Sequence, residues 1–270
     1  NDKASFNAEN IWRLVSREGV QNLTITGDAM GRPLVDALPE LMKEGLDISS
    51  LIILTSTAAV FSSSIKDELL SLLPNLMIID GVGSSETGST GFNIYEKGSK
   101  TKDSGGGPRF KKPKHSAILN PETFKPLSVN DTKTIGLLAR HGNVPIGYYK
   151  DKEKSEKTFI EVDGIKYSIP GDYAKFEIDG QITLLGRGSV SINSGGEKIF
   201  PEEVEAALKS HPKVFDCLVV GIPDSKWGEK VVAVIKSRKD EKINKEELKD
   251  HCSRYIGKYK FPKKIFYVKE

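Results

Sequence analysis

Cysteine is almost missing from this chain: Cys217 and Cys252 are the two thiols among 270 residues. That excludes a disulfide-built scaffold, and both thiols are expected reduced, as in the cytoplasm. An excess of either charge is missing as well. Forty Lys and Arg stand against 37 Asp and Glu, and the resulting +3 excludes the basic field that a nucleic-acid partner needs. Long apolar runs are absent. Leu51–Leu54 and Val231–Ile235 are strand-sized, far below the roughly 20 apolar residues of a bilayer span, so no transmembrane segment is expected. The chain opens Asn1-Asp2-Lys3-Ala4, with neither a methionine nor a secretory apolar core, and its first residue is expected not to be a natural beginning. There is no Gly-x-Ser-x-Gly elbow and no Gly-x-x-x-x-Gly-Lys-Ser/Thr loop, which argues against an α/β-hydrolase and a P-loop nucleotidase. His115, His141, His211 and His251 lie in separate segments without ligand spacing to Cys or acids, so no structural zinc site is expected.

What is present reads first as α/β. Leu51–Leu54 predicts a buried strand, Ser62-Ser63-Ser64 an N-cap, and Ile65, Leu69, Leu72 and Leu73 the apolar face of a helix that Pro74 closes. Leu76–Ile79 predicts the next strand, parallel to the first because a helical crossover links them. Asn22–Thr26 with Leu34, Leu38 and Leu41 predicts an earlier copy of this arrangement. Between Glu96 and Pro113 the pattern dissolves into Lys97, Lys100, Lys102, Arg109, Lys111 and Lys112 around Ser104-Gly105-Gly106-Gly107-Pro108, read as a solvated loop without function. Residues 114–186 turn to short β-type segments, ending in strands from Tyr173 and from Gln181 joined by an Asp179-Gly180 turn. After Arg187 a small α+β module is expected. Pro201 sits in a first helical turn with Glu202, Glu203 and Glu205, and Val204, Ala207 and Leu208 share a face. Strands at Phe215–Ile222 and Val231–Ile235, a helix from Lys245 carrying Leu248, Cys252 and Ile256 to a stop near Gly257, and a strand at Ile265–Val268 complete it.

The chemistry concentrates in three places. Asp80-Gly81-Val82-Gly83-Ser84-Ser85-Glu86-Thr87-Gly88 follows a strand, where open parallel sheets bind ligands, and combines glycines with hydroxyls suited to phosphate. Glu86 adds a hard oxygen of the kind Mg²⁺ takes. A plain loop is the competing reading. Gly171-Asp172 enters the hairpin and Gly186-Arg187 leaves it. Their acid and guanidinium either serve the hydroxyls of a ribose or form a surface ion pair. Ser191-Ile192-Asn193-Ser194-Gly195-Gly196-Glu197-Lys198-Ile199 precedes a helix as an anion site or a tight turn, and Trp227 in Trp227-Gly228-Glu229 reads as a packing residue.

In this order, Gly83-Ser84-Ser85-Glu86, Gly171-Asp172, Gly186-Arg187 with Ile192 to Glu205, and Val219 to Asp224 with Trp227-Gly228-Glu229 resemble the adenylate-forming superfamily, most closely its fatty acyl-CoA ligases. The resemblance implies a partial large α/β domain with a β-rich subdomain over residues 1–188, then a small mobile α+β C-terminal domain over 189–270. It implies ATP, Mg²⁺ and coenzyme A as co-substrate: a carboxylic acid takes the adenylyl group from ATP and passes its acyl group to the thiol. By the same resemblance, Gly83, Ser84 and Ser85 touch nucleotide, Glu86 holds the metal, and Asp172 and Arg187 serve the ribose. Ser189 is the hinge, Gly195 and Gly196 pass coenzyme A, and Ser56, Thr57, Ala58, Ala59, Gly81 and Val82 wall the acyl and adenine pocket. Val82 departs from the family's stacking aromatic, Thr57-Ala58 from its glycine pair, and Ser189 from its usual Asp or Lys. The family's phosphate loop lies upstream of anything present. Its lysine follows the segment resembling Tyr259-Lys260-Phe261-Pro262 at a distance the chain does not reach, so Lys258, Lys263, Lys264 and Lys269 are not given that role and the catalytic residues stay unassigned. The expectation is the C-terminal half of an acyl-CoA synthetase, inactive in adenylation alone. The alternative is a catalytically dead nucleotide- or partner-binding module. No oligomeric state is implied.

Overall fold

The computed structural model describes residues 6–99, 108–238, 241 and 243–268. Lys100, Lys102 and most of the glycine loop, Lys269 and the opening Asn1-Asp2-Lys3-Ala4 lie outside the described residues. The chain divides into two compact units, Asn1–Gly83 with Gly91–Lys102, and Ser84–Thr90 with Asp103–Glu270.

The first unit is built of α1 (Ala8–Glu18), β1 (Asn22–Ile25), α2 (Gly27–Lys43), β2 (Ile53–Ser56), α3 (Ser63–Leu72), β3 (Met77–Ser84) and β4 (Gly88–Tyr95), with sheet order β1-β2-β3-β4. β1, β2 and β3 run parallel, as the crossover helices require. Leu34, Leu38 and Leu41 on α2 and Ile65 and Leu69 on α3 are buried as expected, whereas Leu72 and Leu73, at the end of α3 and just past it, are only partly buried. Ser62 occupies the α3 N-cap position without a side-chain cap bond. α1 is an addition to the expected pattern. Asn7 caps it by accepting from the Asn10 amide, and the left-handed Gly19 ends it. Its Trp12 is fully buried and donates Nε1–H to the Leu34 carbonyl over 2.9 Å, which satisfies the indole inside the core.

The second unit continues with β5 (Arg109–Phe110), β6 (Ser116–Leu119), β7 (Gly136–His141), α4 (Lys152–Thr158), β8 (Phe159–Val162), β9 (Ile165–Ser168), β10 (Asp172–Phe176) and β11 (Ile182–Arg187). These strands form a seven-stranded sheet ordered β5-β11-β10-β7-β9-β8, with β6 on β7. Then come β12 (Ile192–Ser194), β13 (Glu197–Ile199), α5 (Pro201–Lys209), β14 (Val214–Asp224), β15 (Gly228–Ser237), α6 (Lys245–Cys252) and β16 (Lys264–Val268). Here the sheet order is β13-β12-β15-β14, and β16 joins β15 in parallel. Pro201 opens α5 as expected, and Val204, Ala207 and Leu208 pack with Val231, Ala233, Ile235 and Leu248. Each fully buried aliphatic side chain of this core contributes about 1.5–3 kcal/mol. α6 stops at Cys252, short of the expected Gly257, yet Ile256 is still buried because the chain turns it back onto the same core. Both cysteines are free and buried.

Candidate functional site

In the first unit, β2 and β3 are neighbours in parallel register, with Ser56 opposite Asp80. Thr57, Ala58 and Ala59 therefore leave the sheet at the carboxyl end of β2, beside Gly81 and Val82, which carry β3 on to Ser84 at the edge where open parallel sheets place ligands. Ser56 is fully buried and its Oγ accepts from the Gly27 amide over 3.2 Å, so it anchors the turn. Ala58 then takes a φ of 67°, the left-handed region that glycine enters without cost. The resemblance puts a glycine pair at Thr57-Ala58. The backbone keeps a glycine-like conformation there although an alanine occupies it.

Just before Gly81, Asp80 and Lys66 form an ion pair of 2.5 Å with both side chains almost wholly buried. The Lys66 ammonium also lies 4.3 Å from the centre of the Tyr95 ring. Burial pushes the Asp80 carboxyl up, against the pull of Lys66. This pair fixes the middle of β3, just before Gly81.

In the second unit, the turn from β3 to β4 is braced by hydroxyls. Ser84 Oγ and Thr87 Oγ1 are 3.0 Å apart, the Thr87 amide donates to Ser84 Oγ, and Thr90 Oγ1 donates to Thr87 Oγ1. Ser85 is left exposed at the tip. Glu86 is held from two sides: Ser168 Oγ donates to its carbonyl over 2.8 Å and Tyr148 Oη to its Oε1 over 2.6 Å. The phenol's hydrogen bond, outweighing partial burial, keeps the Glu86 carboxyl below the usual carboxylate range, and the charge of Arg187 acts in the same direction.

The Asp179-Gly180 turn pairs β10 with β11 and sets Asp172 directly opposite Arg187. Arg187 Nε donates to Asp172 Oδ1 over 3.2 Å. Burial raises the Asp172 carboxyl, Arg187 opposes that rise, and the charge of Glu86 adds to it. A third acid lies on α5. Glu202 packs its carboxyl over Gly186, whose φ of 135° is a conformation that favours glycine and where an added Cβ would push the Glu202 carboxyl aside. That Oε2 is buried with no hydrogen-bond partner, and burial together with the Asp172 charge raises the Glu202 carboxyl. Glu86 and Asp172 both feel the charge of the Arg187 guanidinium, and Asp172 in turn acts on Glu202.

Ser189 is exposed within a 3₁₀ turn, Gly188–Val190, that follows Arg187 inside this unit. Gly195 and Gly196, at φ 62° and 86°, make the tight turn of a β12–β13 hairpin that the sequence reading did not separate from an anion site. Gly195 packs on Trp227, whose ring an added Cβ would meet at 2.8 Å, and its amide donates to the Trp227 carbonyl. Trp227 therefore packs, as expected, while staying 40% exposed. Among the loop cations, Arg109 pairs with Asp179 over 2.7 Å and steadies the β10–β11 turn. The histidines, distant in sequence, meet in pairs: His115 with His141, and His211 with His251. Among the described residues no group of three or more His, Cys, Asp or Glu could hold a metal by itself. Mg²⁺ asks for less, since one or two carboxylates suffice when it arrives with nucleotide phosphates, and the ionised Glu86 fits that donor set. Sequence reasoning missed Tyr148, Ser168 and Glu202. The Gly147-Tyr148 pair ahead of a capped helix was the one local signal available.

Residues 203–270 match the AMP-binding enzyme C-terminal domain. The chain is 50% identical over 268 residues to a 3-oxocholest-4-en-26-oate–CoA ligase of Rhodococcus rhodochrous, covering 98% of this chain and 47% of that protein. It is 48% identical over 265 residues to a medium/long-chain-fatty-acid–CoA/3-oxocholest-4-en-26-oate–CoA ligase of Mycobacterium tuberculosis, covering 98% and 47%. Its last quarter thus belongs to the AMP-binding enzyme C-terminal domain family, and the whole chain is similar to one half of acyl-CoA ligases. It spans about half the length of the curated relatives it matches. Its fold is likewise that of about half of ATP-bound MatB from Rhodopseudomonas palustris, with a TM-score of 0.76 and 26% identity over 98% of this chain and 50% of that one. Acyl-CoA ligases work on a carboxylic acid with ATP and coenzyme A. No helix of the described residues is long and apolar enough to cross a membrane.

Proposed function

We propose that this chain forms part of the nucleotide site of an AMP-forming acyl-CoA ligase whose substrate is a fatty or similarly apolar carboxylic acid. The relatives named above act, by their names, on medium- and long-chain fatty acids and on a steroid side-chain acid, which supports an apolar acid here. In the first step the substrate carboxylate attacks the α-phosphorus of ATP and pyrophosphate leaves. In the second, the coenzyme A thiol displaces AMP from the acyl carbon. Asp172 accepts hydrogen bonds from the ribose hydroxyls and Arg187 orients that carboxylate. Ser84 and Ser85 face phosphate from the braced turn, and Gly83 lets nucleotide approach the backbone. Glu86, together with nucleotide phosphates, would hold Mg²⁺, which would supply Lewis-acid withdrawal of charge. Ser56–Ala59, Gly81 and Val82 wall the adenine and acyl pocket. Ser189 is the hinge of a boundary between residues 1–188 and 189–270, and Gly195 and Gly196 border the coenzyme A path. Two free thiols favour the cytoplasm as its setting.

The observation that carries this reading is the register of β10 against β11. A carboxylate with one oxygen engaged by Arg187, and 18% of its side chain exposed, keeps acceptor capacity for hydroxyls. Asp172→Ala is expected to weaken AMP binding by about 1.5–3 kcal/mol, the range for hydrogen bonds to a charged group. Calorimetry on the purified chain checks this, and unchanged affinity would return Asp172 to a surface ion pair.

A further inference from the structure

We infer that Tyr148 is a positioning residue for the Glu86 carboxylate: its phenol fixes which oxygen of Glu86 is engaged and leaves the other aimed outward for the metal that accompanies nucleotide. This rests on the reading of Glu86 as the metal carboxylate.

Glu86 follows a turn tip and its side chain is only partly enclosed, so a free carboxylate there would sample several rotamers. One strong bond removes that freedom. Tyr148 Oη reaches Glu86 Oε1 at 2.6 Å across 62 residues of sequence, the short length expected of a hydroxyl donating to an ionised acid. The phenol is itself anchored. The Tyr148 amide donates to Ser155 Oγ over 2.7 Å, and Ser155 Oγ donates to the Asp151 carbonyl over 2.6 Å, which ties the residue to the first turns of α4. Asp151 caps that helix by accepting from the Lys154 amide. The Tyr148 ring packs against Phe159 at 5.6 Å, and the Lys154 ammonium covers it at 4.1 Å. Ser168 of β9 meanwhile pins the Glu86 carbonyl, so the backbone of Glu86 is fixed from a strand and its side chain from the segment that leads into α4.

The remaining groups around the carboxyl agree with this role. Arg187 attracts it, and Asp172 and Glu86 repel one another. Without the phenol, Glu86 would be drawn toward Arg187, the nearby cation, and away from an incoming metal. The hydroxyl holds it in place without neutralising it, which an ammonium or guanidinium in the same position would do. A metal ligand has to keep its charge.

The test uses the full chain with glutamate ¹³C-labelled at the carboxyl, the Glu86 signal being assigned by its loss in Glu86→Gln. In Tyr148→Phe the Glu86 titration midpoint is expected to move up. Replacing Tyr148 with a 3-fluorotyrosine, a stronger donor of nearly the same shape, is expected to move it down, which keeps the inference decidable should the Phe variant fold poorly. A midpoint unchanged in both overturns it. ATP affinity is then measured with Mg²⁺ and with EDTA. Tyr148→Phe is expected to cut the Mg²⁺-dependent gain about three- to tenfold while leaving affinity in EDTA unchanged, and Glu86→Gln to abolish the gain. If Glu86→Gln keeps the full gain, or the unaltered chain shows none, the reading of Glu86 fails. If Glu86→Gln loses the gain and Tyr148→Phe retains it, that reading stands and the role of Tyr148 alone is overturned.

Discussion

Two acid–base pairs in this molecule have the same chemistry and opposite settings. Lys66–Asp80 is sealed in the first unit, with side-chain exposures of 4% and 3%, whereas Arg187–Asp172 in the second has 60% and 18%. A sealed pair cannot exchange its partner for a ligand, and its stability rests on both charges staying together. A half-open pair is screened and contributes little to stability, yet its carboxylate can trade part of its solvation for a ligand's hydroxyls. Which pair is open to a ligand is therefore decided by solvent access rather than by residue type.

The largest expected break in this comparison is Lys66→Met, which leaves Asp80 buried without its partner and should cost about 3–5 kcal/mol of unfolding free energy. Its sign with pH is fixed. Asp80 already titrates above the ordinary carboxylate range, so protonation relieves the stranded charge and the deficit should shrink as the medium is acidified. Denaturant melts at neutral and acid pH check both points. Arg187→Ala should cost about 1 kcal/mol or less in the same melts while reducing AMP affinity, the reverse of the Lys66 outcome. A large loss of stability without loss of affinity would erase the distinction between the two pairs.

The smallest effect sharpens the comparison with a third acid. Glu202 has a buried, unpartnered oxygen and a raised titration, so its ionised form destabilises the fold. Its contribution is most favourable below the unfolded value, near pH 4, and is lost as pH rises through the folded one. Glu202→Gln should therefore stabilise by a few tenths of a kcal/mol to about 1 at neutral pH, with the gain fading in acid. Thermal melts across that window measure it.

Much of the fold was legible because its signals are local. Leu34, Leu38 and Leu41 recur at helical spacing, Asp179-Gly180 permits one tight turn, and Pro201 fits a first helical turn, so α2, the β10–β11 hairpin and α5 followed from short stretches of chain. The Asp172–Arg187 contact was legible for the same reason, since a hairpin brings its two ends together whatever else the chain does. α1 was legible and missed: Ala8, Ile11, Trp12 and Val15 recur at helical spacing between a capping Asn7 and Gly19, and the core that receives Trp12 completes it. β12 and β13 are three residues each, too short for periodicity to register, and depend on pairing with β15 through Ser194 and Gly228.

The sequence by itself determined which residues could do chemistry: the Ser84-Ser85-Glu86 segment, the acid and guanidinium flanking the hairpin, and the glycine turn at Gly195-Gly196. Only the tertiary structure decided how those groups are charged and held. Tyr148 meets Glu86 across 62 residues, Glu202 settles on Gly186, and the backbone at Ala58 stays in a glycine's conformation. Local pattern reflects the few-residue periods of helices and strands. Titration and orientation are set by burial and by partners that arrive from distant parts of the chain, and no local period encodes them.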